Sequence, residues 1–204
     1  MSTNNKGTVF IIDDDDDFRE SVTWLLQSED LETQAFASAK TFLDYYQDEI
    51  GCILLDVRMP DINGLSALQV FKEKKINIPV IIISGHGDIP MAVSAMKHGA
   101  SDFIEKPFDD EHLLKLVNQC LSKAEEQAQS QSSSLQVQQV YERLSRREKE
   151  VMTLVVEGKA NREIAEELGI SPKTVEVHRS RVMNKMEAES LPDLVKKSAI
   201  LEGA

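Results

Sequence analysis

Short apolar segments alternate with amphipathic ones over the first 121 residues of the chain. The apolar segments are rich in Val, Ile and Leu, and several of them stop abruptly at a polar or charged residue, as buried parallel strands do. Strands are predicted over residues 8–12, 31–36, 52–56, 79–84 and 101–106. Helices are predicted over residues 18–28, 39–47, 65–75 and 89–98, with one more beginning at Asp109. Strands that alternate with helices predict a doubly wound, five-stranded parallel sheet.

The carboxyl-terminal part of the chain has helical periodicity alone. A capping box at residues 145–148 precedes the first of its apolar periodic segments. A second short helix over residues 161–168 is ended by Gly169, and the Ser-Pro pair at 171–172 begins a third. Two short helices joined by a turn that contains glycine predict a helix-turn-helix, and a fourth helix is predicted to begin at Ser190. This part is therefore predicted to be an all-α, four-helix domain.

A segment rich in Gln and Ser, residues 122–143, separates the two patterns. It is predicted to be a linker, helical in its Ala/Glu/Gln part and flexible at residues 132–134. A short coiled contact between chains, begun by Leu116 and Leu121, is the alternative. The predicted domains are therefore residues 1–121 and 144–204, joined by the linker 122–143.

Composition narrows the class of protein. The hydrophobic fraction of 41% allows globular cores, and no apolar segment approaches the about 20 residues that span a bilayer. The amino-terminal residues lack the basic-then-apolar pattern of a signal peptide. Cys52 and Cys120 form neither a disulfide framework nor a zinc-binding spacing. These features predict a cytoplasmic protein with no membrane association.

The net charge of −12 is unevenly distributed. Residues 1–121 contain ten basic and 21 acidic side chains, whereas residues 144–204 contain eleven of each. An acidic chain is a poor ligand for nucleic acid only if its charge is spread evenly. The second domain thus stays a candidate for DNA binding.

Reactive side chains follow four of the predicted strands. Asp13 and Asp14 come after the first strand, Asp56 ends the third, Ser84 ends the fourth and Lys106 ends the fifth. In an open α/β sheet, ligands bind at the edge where the carboxyl ends of the strands meet. We expect these side chains to converge there, whereas the next three aspartates, 15–17, begin a helix whose dipole favours acidic residues.

This set of side chains suits phosphoryl transfer to a carboxylate. Crowded carboxylates repel one another unless a hard cation such as Mg²⁺ joins them. An aspartate can then act as a nucleophile toward phosphorus, with Lys106 as a compact positive charge and the Ser84 hydroxyl as a donor to the phosphoryl oxygens. Each residue alone has an ordinary explanation as a loop or surface residue. Their common position at strand ends favours the site.

The third helix of the carboxyl-terminal domain has two distinct faces. Val175, His178, Val182 and Met186 form one stripe at helical spacing, which predicts that they pack inward and that His178 lies at the edge of the core. Residues 173–185 contain four basic side chains and one acidic one, which suits a helix in the major groove of DNA. The candidate DNA-binding residues are Lys173, Thr174, Glu176, Val177, Ser180, Arg181 and Lys185.

Roles within this helix follow from side-chain chemistry. Lys173, Arg181 and Lys185 are candidates for phosphate contacts. Glu176, Val177 and Ser180 can reach base edges, where Glu accepts a hydrogen bond from cytosine and Val contacts a thymine methyl group. A solvated charged face is the alternative explanation of the same pattern.

The motifs IIDDD, LLDVRMPDINGL, IIISGHGD and DFIEKPF make residues 8–121 resemble the receiver domain of two-component response regulators. The resemblance implies a flavodoxin-like fold and a phosphoacceptor at Asp56. It implies Mg²⁺ binding by Asp14, Asp56 and the Arg58 carbonyl, with Asp13 acting through water. Ser84 and Lys106 would sense the phosphoryl group, and Phe103 would be the aromatic switch residue.

Three positions of this receiver-like domain vary within the family. Ser84 stands where many members have Thr, which keeps the hydroxyl. Arg58 and His86 occupy positions that tune dephosphorylation in the family. For His86, a role as phosphohistidine or general base competes with that of a partly exposed loop residue.

Residues 144–197 resemble the LuxR-type helix-turn-helix, so the whole chain resembles response regulators of the NarL/FixJ class, in the FixJ-like branch. The resemblance implies a transcription factor and not an enzyme. Its implied partners are a sensor histidine kinase, double-stranded DNA and a second copy of the chain after phosphorylation, which would dimerise through residues 89–105. RNA polymerase is a further candidate partner.

Two other functions compete with this interpretation. An aspartyl-nucleophile phosphatase of the dehalogenase type needs a D-x-D motif followed by a small or β-branched residue. Asp13 and Asp15 fit that motif, but Asp16 follows them, and the DNA-binding half is left unexplained. The second alternative is a constitutive DNA-binding protein whose receiver-like domain is only a dimer scaffold.

Overall fold

The structure is a computed structural model, and it describes residues 7–60, 62–85 and 89–202. The chain divides into two compact units, Met1–Ala128 and Gln129–Ala204. In the described part of the chain, no helix is long and apolar enough to cross a membrane. The predicted role of His86 in dephosphorylation concerns a residue outside those that the structure describes.

The first unit is built on a parallel sheet. Its strands are β1 (Thr8–Ile12), β2 (Glu32–Phe36), β3 (Gly51–Asp56), β4 (Val80–Ser84) and β5 (Asp102–Glu105). Its helices are α1 (Asp16–Ser28), α2 (Ala39–Tyr45), α3 (Gly64–Glu73) and α4 (Ile89–Lys97), and α5 (Asp110–Glu142) begins in this unit and ends in the second. The strand order is β2-β1-β3-β4-β5, and every neighbouring pair is parallel. The predicted doubly wound, five-stranded sheet is confirmed.

Alternating side chains of the strands form two cores. Val9 and Ile11 of β1 face one side of the sheet, in the cluster that contains residues of α1 and α5. Phe10 and Ile12 face the other side, in the cluster that contains residues of α2, α3 and α4. This period of two is the expected geometry of a strand covered on both faces.

Short polar side chains set the starts of several helices. Asp15 caps α1, since its carboxylate accepts hydrogen bonds from the amides of Asp17 and Phe18. Asp16 and Asp17 lie in the first turn, where the helix dipole favours acidic residues. The interpretation of these three aspartates as a helix start is therefore confirmed. Asn63 caps α3 in the same way through the amide of Leu65.

Helix α5 is 33 residues long and continues through residues 132–134, which the sequence predicts to be flexible. The helix contains neither Gly nor Pro. Its three consecutive serines each cost only about 0.5 kcal/mol relative to alanine, and the Ala, Glu and Gln residues before them favour the helix. The domain boundaries at 121 and 144 stay predictions.

The second unit contains helices α6 (Arg146–Val156), α7 (Asn161–Leu168), α8 (Pro172–Lys185) and α9 (Leu191–Glu202). The capping box of Ser145 and Glu148 is confirmed. Gly169 ends α7 in the left-handed conformation with φ of 64°, and Ser171 caps α8 through the amide of Thr174. The core of this unit includes Val151, Ile164, Val175, Val182 and Leu194. The predicted all-α helix-turn-helix unit is confirmed.

Candidate functional site

Three of the predicted side chains meet at the carboxyl edge of the sheet. The Lys106 ammonium donates hydrogen bonds to Asp13 Oδ2 at 2.7 Å and to Asp56 Oδ1 at 3.1 Å. Because β1 and β3 are neighbours in the sheet, their terminal carboxylates lie side by side. Asp13 and Asp56 are buried, whereas Lys106 is partly exposed. The edge is therefore a partly shielded ion cluster with two carboxylates and one ammonium.

The backbone around Asp56 holds its carboxylate in place. Asp56 Oδ2 accepts a hydrogen bond of 2.6 Å from the amide of Arg58. The amide of Val57 donates to the Ile83 carbonyl of β4 at 3.0 Å, and the amide of Gly64 donates to the Val57 carbonyl at 2.9 Å. The backbone that follows Asp56 is thus held by β4 on one side and by the start of α3 on the other, while the Arg58 amide binds the carboxylate itself.

The electrostatics of the cluster depend on Lys106. Burial raises the pKa of Asp13 above its ordinary value, against the opposing effects of hydrogen bonds from Lys106 and from the amide of Asp15. Burial lowers the pKa of Lys106, but its hydrogen bonds to Asp13 and Asp56 outweigh that effect and leave the pKa raised. With both carboxylates ionised, one negative charge remains in excess, which attracts a cation.

The other predicted receiver residues surround this cluster. Ser84 is buried, and its hydroxyl donates to the sulfur of Met91 in α4 at 3.6 Å. The side chains of Asp14 and Arg58 are exposed. Phe103 is half-buried and packs against the core beneath α2, α3 and α4. Their roles in phosphoryl sensing, metal binding and switching stay predictions.

Two contacts at the site are not predictable from the sequence. The ring of Phe18 in α1 lies over the Lys106 ammonium, 3.5 Å from its nitrogen to the ring centroid. The guanidinium of Arg19 donates to the Asp13 carbonyl at 2.6 Å. Both residues belong to a helical segment whose spacing indicates only that a helix is present, so no sequence signal identified them.

The ligands predicted for Mg²⁺ suit that ion in their chemistry. The carboxylates of Asp13, Asp14 and Asp56 and the carbonyl of Arg58 are hard oxygen donors, which Mg²⁺ prefers. Among the described residues, no three His, Cys, Asp or Glu side chains are grouped closely enough to hold a metal ion. Lys106 instead provides the positive charge between Asp13 and Asp56.

Helix α8 presents one buried face and one exposed face in the second unit. Val175, Val182 and Met186 are buried, and His178 is half-buried, so the predicted inward stripe is confirmed. The Nδ1 atom of His178 is buried and has no hydrogen-bond partner among the described residues. The exposed candidates are Lys173, Thr174, Glu176, Val177, Ser180 and Arg181. Their contacts with DNA stay predictions.

Lys185 differs from the other candidates on α8. Its ammonium donates to Glu148 Oε2 at 2.6 Å and to the Arg143 carbonyl at 3.2 Å, so it forms an ion pair within the unit. Burial by itself raises the pKa of Glu148, but hydrogen bonds from Lys185 and Ser145 outweigh it and lower the pKa to about 2. Two of the three N–H groups of Lys185 are therefore used within the unit, and its contact with a phosphate stays a prediction.

Comparison with known families accounts for both units. Residues 9–118 match the response regulator receiver domain, and residues 142–198 match the bacterial regulatory proteins of the luxR family. The chain belongs to the response regulators of the NarL/FixJ class. This response regulator therefore combines a receiver domain with a LuxR-type DNA-binding domain, and it regulates transcription.

Relatives extend over nearly the whole response regulator. The transcriptional regulatory protein FixJ of Azorhizobium caulinodans is 46% identical over 196 residues, which cover 96% of this chain and 92% of FixJ. The response regulator protein TodT of Pseudomonas putida is 42% identical over 195 residues, covering 95% and 86% of the two chains. The solved structure of response regulator StyR superposes on this chain with a TM-score of 0.85. The two sequences are 39% identical, and the match covers 97% of this chain and 98% of StyR.

Proposed function

We propose that Asp56 accepts a phosphoryl group from a sensor histidine kinase and that this event promotes dimerisation and sequence-specific DNA binding. The observation that carries the proposal is the pairing of Lys106 with both Asp13 and Asp56. This pairing places a positive charge beside the Asp56 carboxylate, at the sheet edge where ligands of such folds bind. The protein would act in the cytoplasm, where both the kinase's phosphoryl group and DNA are accessible.

The chemical step uses a carboxylate oxygen of Asp56 as the nucleophile. An oxygen–phosphorus bond forms while the nitrogen–phosphorus bond of the phosphohistidine breaks, and the imidazole leaves with the electron pair of that bond. Asp13, Asp14, Asp56 and the Arg58 carbonyl would hold Mg²⁺. When bound, the ion offsets the negative charge of the carboxylates and the phosphoryl oxygens.

Phosphorylation would change the partners of two side chains. The phosphoryl group carries about −1.5 to −2 charges, in place of the single negative charge of the carboxylate. Lys106 then exchanges a carboxylate for a phosphoryl oxygen, and the Ser84 hydroxyl turns from the Met91 sulfur toward the same group. Because Met91 belongs to α4, this exchange changes a contact that ties the end of β4 to that helix, with Phe103 repacking beside it.

The α4 surface is the proposed dimer interface together with β5. Ile89, Val93 and Met96 are large apolar side chains on α4 that are 82%, 46% and 50% exposed. Exposed apolar residues grouped on one helix are typical of an interaction surface. Phosphorylation favours the dimer only if it lowers the free energy of the dimer-competent state more than that of the other state.

Dimerisation would place two copies of α8 on two half-sites of an operator. In helix-turn-helix dimers the half-sites lie about one DNA turn, or a multiple of it, apart. Lys173 and Arg181 would contact phosphates, with Thr174 beside them, and Glu176, Val177 and Ser180 would face base edges. RNA polymerase is a further candidate partner at the promoter.

The test compares the full chain with Asp56→Asn and with the matched control Asp44→Asn, an exposed aspartate in α2. Acetyl phosphate with Mg²⁺ should add one phosphoryl group to wild type and to the control, but not to Asp56→Asn, as measured by intact mass. Light scattering should show dimers, and DNA footprints should strengthen, only in the phosphorylated samples. An Asp56→Asn protein that still dimerises with acetyl phosphate contradicts the proposal.

Two further measurements test the two alternative functions. The first uses beryllofluoride with Mg²⁺, which mimics an aspartyl-phosphate, and the second measures phosphatase activity. Unchanged size and unchanged operator affinity would favour a constitutive DNA-binding protein. Rapid multiple-turnover hydrolysis of simple phosphomonoesters would favour a phosphatase.

A further inference from the structure

Phe18 and Phe108 form an aromatic wall beside Lys106. The Lys106 nitrogen lies 3.5 Å from the centroid of the Phe18 ring. Phe18 and Phe108 pack edge to face, with centroids 6.1 Å apart and an interplanar angle of 86°. Phe18 belongs to the first turns of α1, and Phe108 follows Lys106 by two residues. The ring that faces the ammonium is therefore itself held by a second ring.

The face of an aromatic ring attracts a cation because its quadrupole places negative charge there. The attraction grows where water is partly excluded, and the Lys106 side chain is only 23% exposed. Unlike a carboxylate, the ring accepts no strong hydrogen bond, and beside it the ammonium still donates hydrogen bonds to two oxygen atoms, Asp13 Oδ2 and Asp56 Oδ1. It can hold the ammonium in place while the oxygen partners change.

We propose that Phe18 is a positioning residue for phosphoryl transfer, acting through Lys106. Its ring keeps the ammonium at the sheet edge while Lys106 exchanges a carboxylate for a phosphoryl oxygen. The inference rests on the proposed function, because it assigns Phe18 a role only if Lys106 contacts the phosphoryl group.

Simple core packing is the competing role for Phe18, since the ring also packs against the core beneath α1 and α5. The two roles differ in chemistry. Leucine keeps an apolar side chain at this position but has no ring face, whereas tyrosine keeps the ring face. If Phe18 positions Lys106, Phe18→Leu should lower the phosphorylation rate and Phe18→Tyr should preserve it. If Phe18 only packs against the core, the two variants should not differ in this way.

The kinetic experiment measures phosphorylation of the full chain by acetyl phosphate with Mg²⁺. Phe18→Leu should lower the rate about three- to thirty-fold, the range of a cation–π contact from exposed to desolvated sites. Phe18→Tyr should stay within about twofold of wild type. In a Lys106→Met background, Phe18→Leu should cause no further loss, because the cation is gone. Equal losses in the two backgrounds would overturn the inference.

A spectroscopic measurement checks the contact without any phosphoryl transfer. Protons of the Lys106 side chain near the ring face should be shifted upfield in the NMR spectrum by the ring current, and assigned by their absence in Lys106→Met. The shift should persist in Phe18→Tyr and vanish in Phe18→Leu, with circular dichroism reporting whether the latter remains folded. A folded Phe18→Leu protein that keeps the upfield shift contradicts the contact.

The outcomes separate the inference from the proposed function. A Lys106→Met protein that is phosphorylated at the wild-type rate would remove the proposed role of Lys106 itself. If Lys106→Met is phosphorylated slowly but Phe18→Leu is phosphorylated at the wild-type rate, only the proposed role of Phe18 is contradicted.

Discussion

Gly64 packs directly against the backbone of Asp56. A β-carbon on residue 64 would lie 2.4 Å from the Asp56 carbonyl oxygen and 2.9 Å from the α-carbon of Val57. The start of α3 therefore lies closer to the end of β3 than any side chain at position 64 would allow. This close approach supports the carboxylate that the proposed phosphoryl transfer requires.

Gly64→Ala should destabilise the receiver domain and displace Asp56. Contacts this short with backbone atoms must be relieved by a backbone shift, which costs about 1–3 kcal/mol. We expect a lower urea midpoint, measured through Trp24 fluorescence, and slower phosphorylation by acetyl phosphate. Gly85→Ala is the matched control for stability, because a β-carbon there would have no neighbour within 4 Å. Equal stability of the two variants would contradict the close-approach argument.

The buried Glu148 should make the second unit sensitive to acid. Glu148 is 3% exposed, and its contacts with Lys185 and Ser145 lower its pKa to about 2. Since the folded pKa lies below the unfolded value of 4.5, the stabilisation is complete above pH 4.5 and decreases as the pH falls toward 2. Glu148→Gln should lower the free energy of unfolding by about 1–3 kcal/mol at pH 7.

The check for Glu148 is urea unfolding at several pH values, followed by NMR signals of the second unit. The difference between wild type and Glu148→Gln should shrink as the pH decreases below 4.5. Glu189→Gln, at an exposed position, should change the stability little at any pH. A difference that stays constant down to pH 2.5 would argue against the ion pair as its cause.

Lys197 of α9 should hold the end of α8. Its ammonium donates to the carbonyls of Met186 and Glu187, at 3.0 Å and 2.6 Å, just after α8 ends. A cation at this end also interacts favourably with the helix dipole. Lys197→Met should lower the free energy of unfolding by about 1–2 kcal/mol and weaken operator binding. The matched control is Lys196→Met, at the exposed neighbouring position, which should leave the free energy of unfolding unchanged. An equal decrease in the two variants would contradict the capping role of Lys197.

The exposed face of α8 should divide into phosphate contacts and base contacts. Lys173→Ala and Arg181→Ala should weaken binding to all DNA sequences alike, each reducing the slope of log K against log salt by about one. Val177→Ala should instead relax the preference at one base pair, where a mismatch typically costs about 1–3 kcal/mol. Binding titrations at several salt concentrations measure both. Lys123→Ala in α5 removes the same charge elsewhere and should leave the slope unchanged.

Several elements were predictable because their cause is local. Asp15 and Ser171 cap helices that begin immediately after them, and Gly169 ends one through its backbone freedom. The stripe of Val175 and Val182 on α8 follows from helical spacing alone. The continuation of α5 through residues 132–134 was not predicted, because three serines in a row resemble a flexible linker although each only slightly disfavours a helix.

The sequence by itself determined which residues reach the sheet edge. Because parallel strands run in one direction, the residues at their carboxyl ends lie at the same edge of the sheet. These residues include Asp13, Asp56 and Lys106. Only the tertiary structure decided which side chains are in contact. At the sheet edge the Phe18 ring lies over the Lys106 ammonium, and in the second unit Glu148 pairs with Lys185, 37 residues away. Periodicity reports which face of an element is buried, whereas the partner across the interface depends on how whole elements pack against each other.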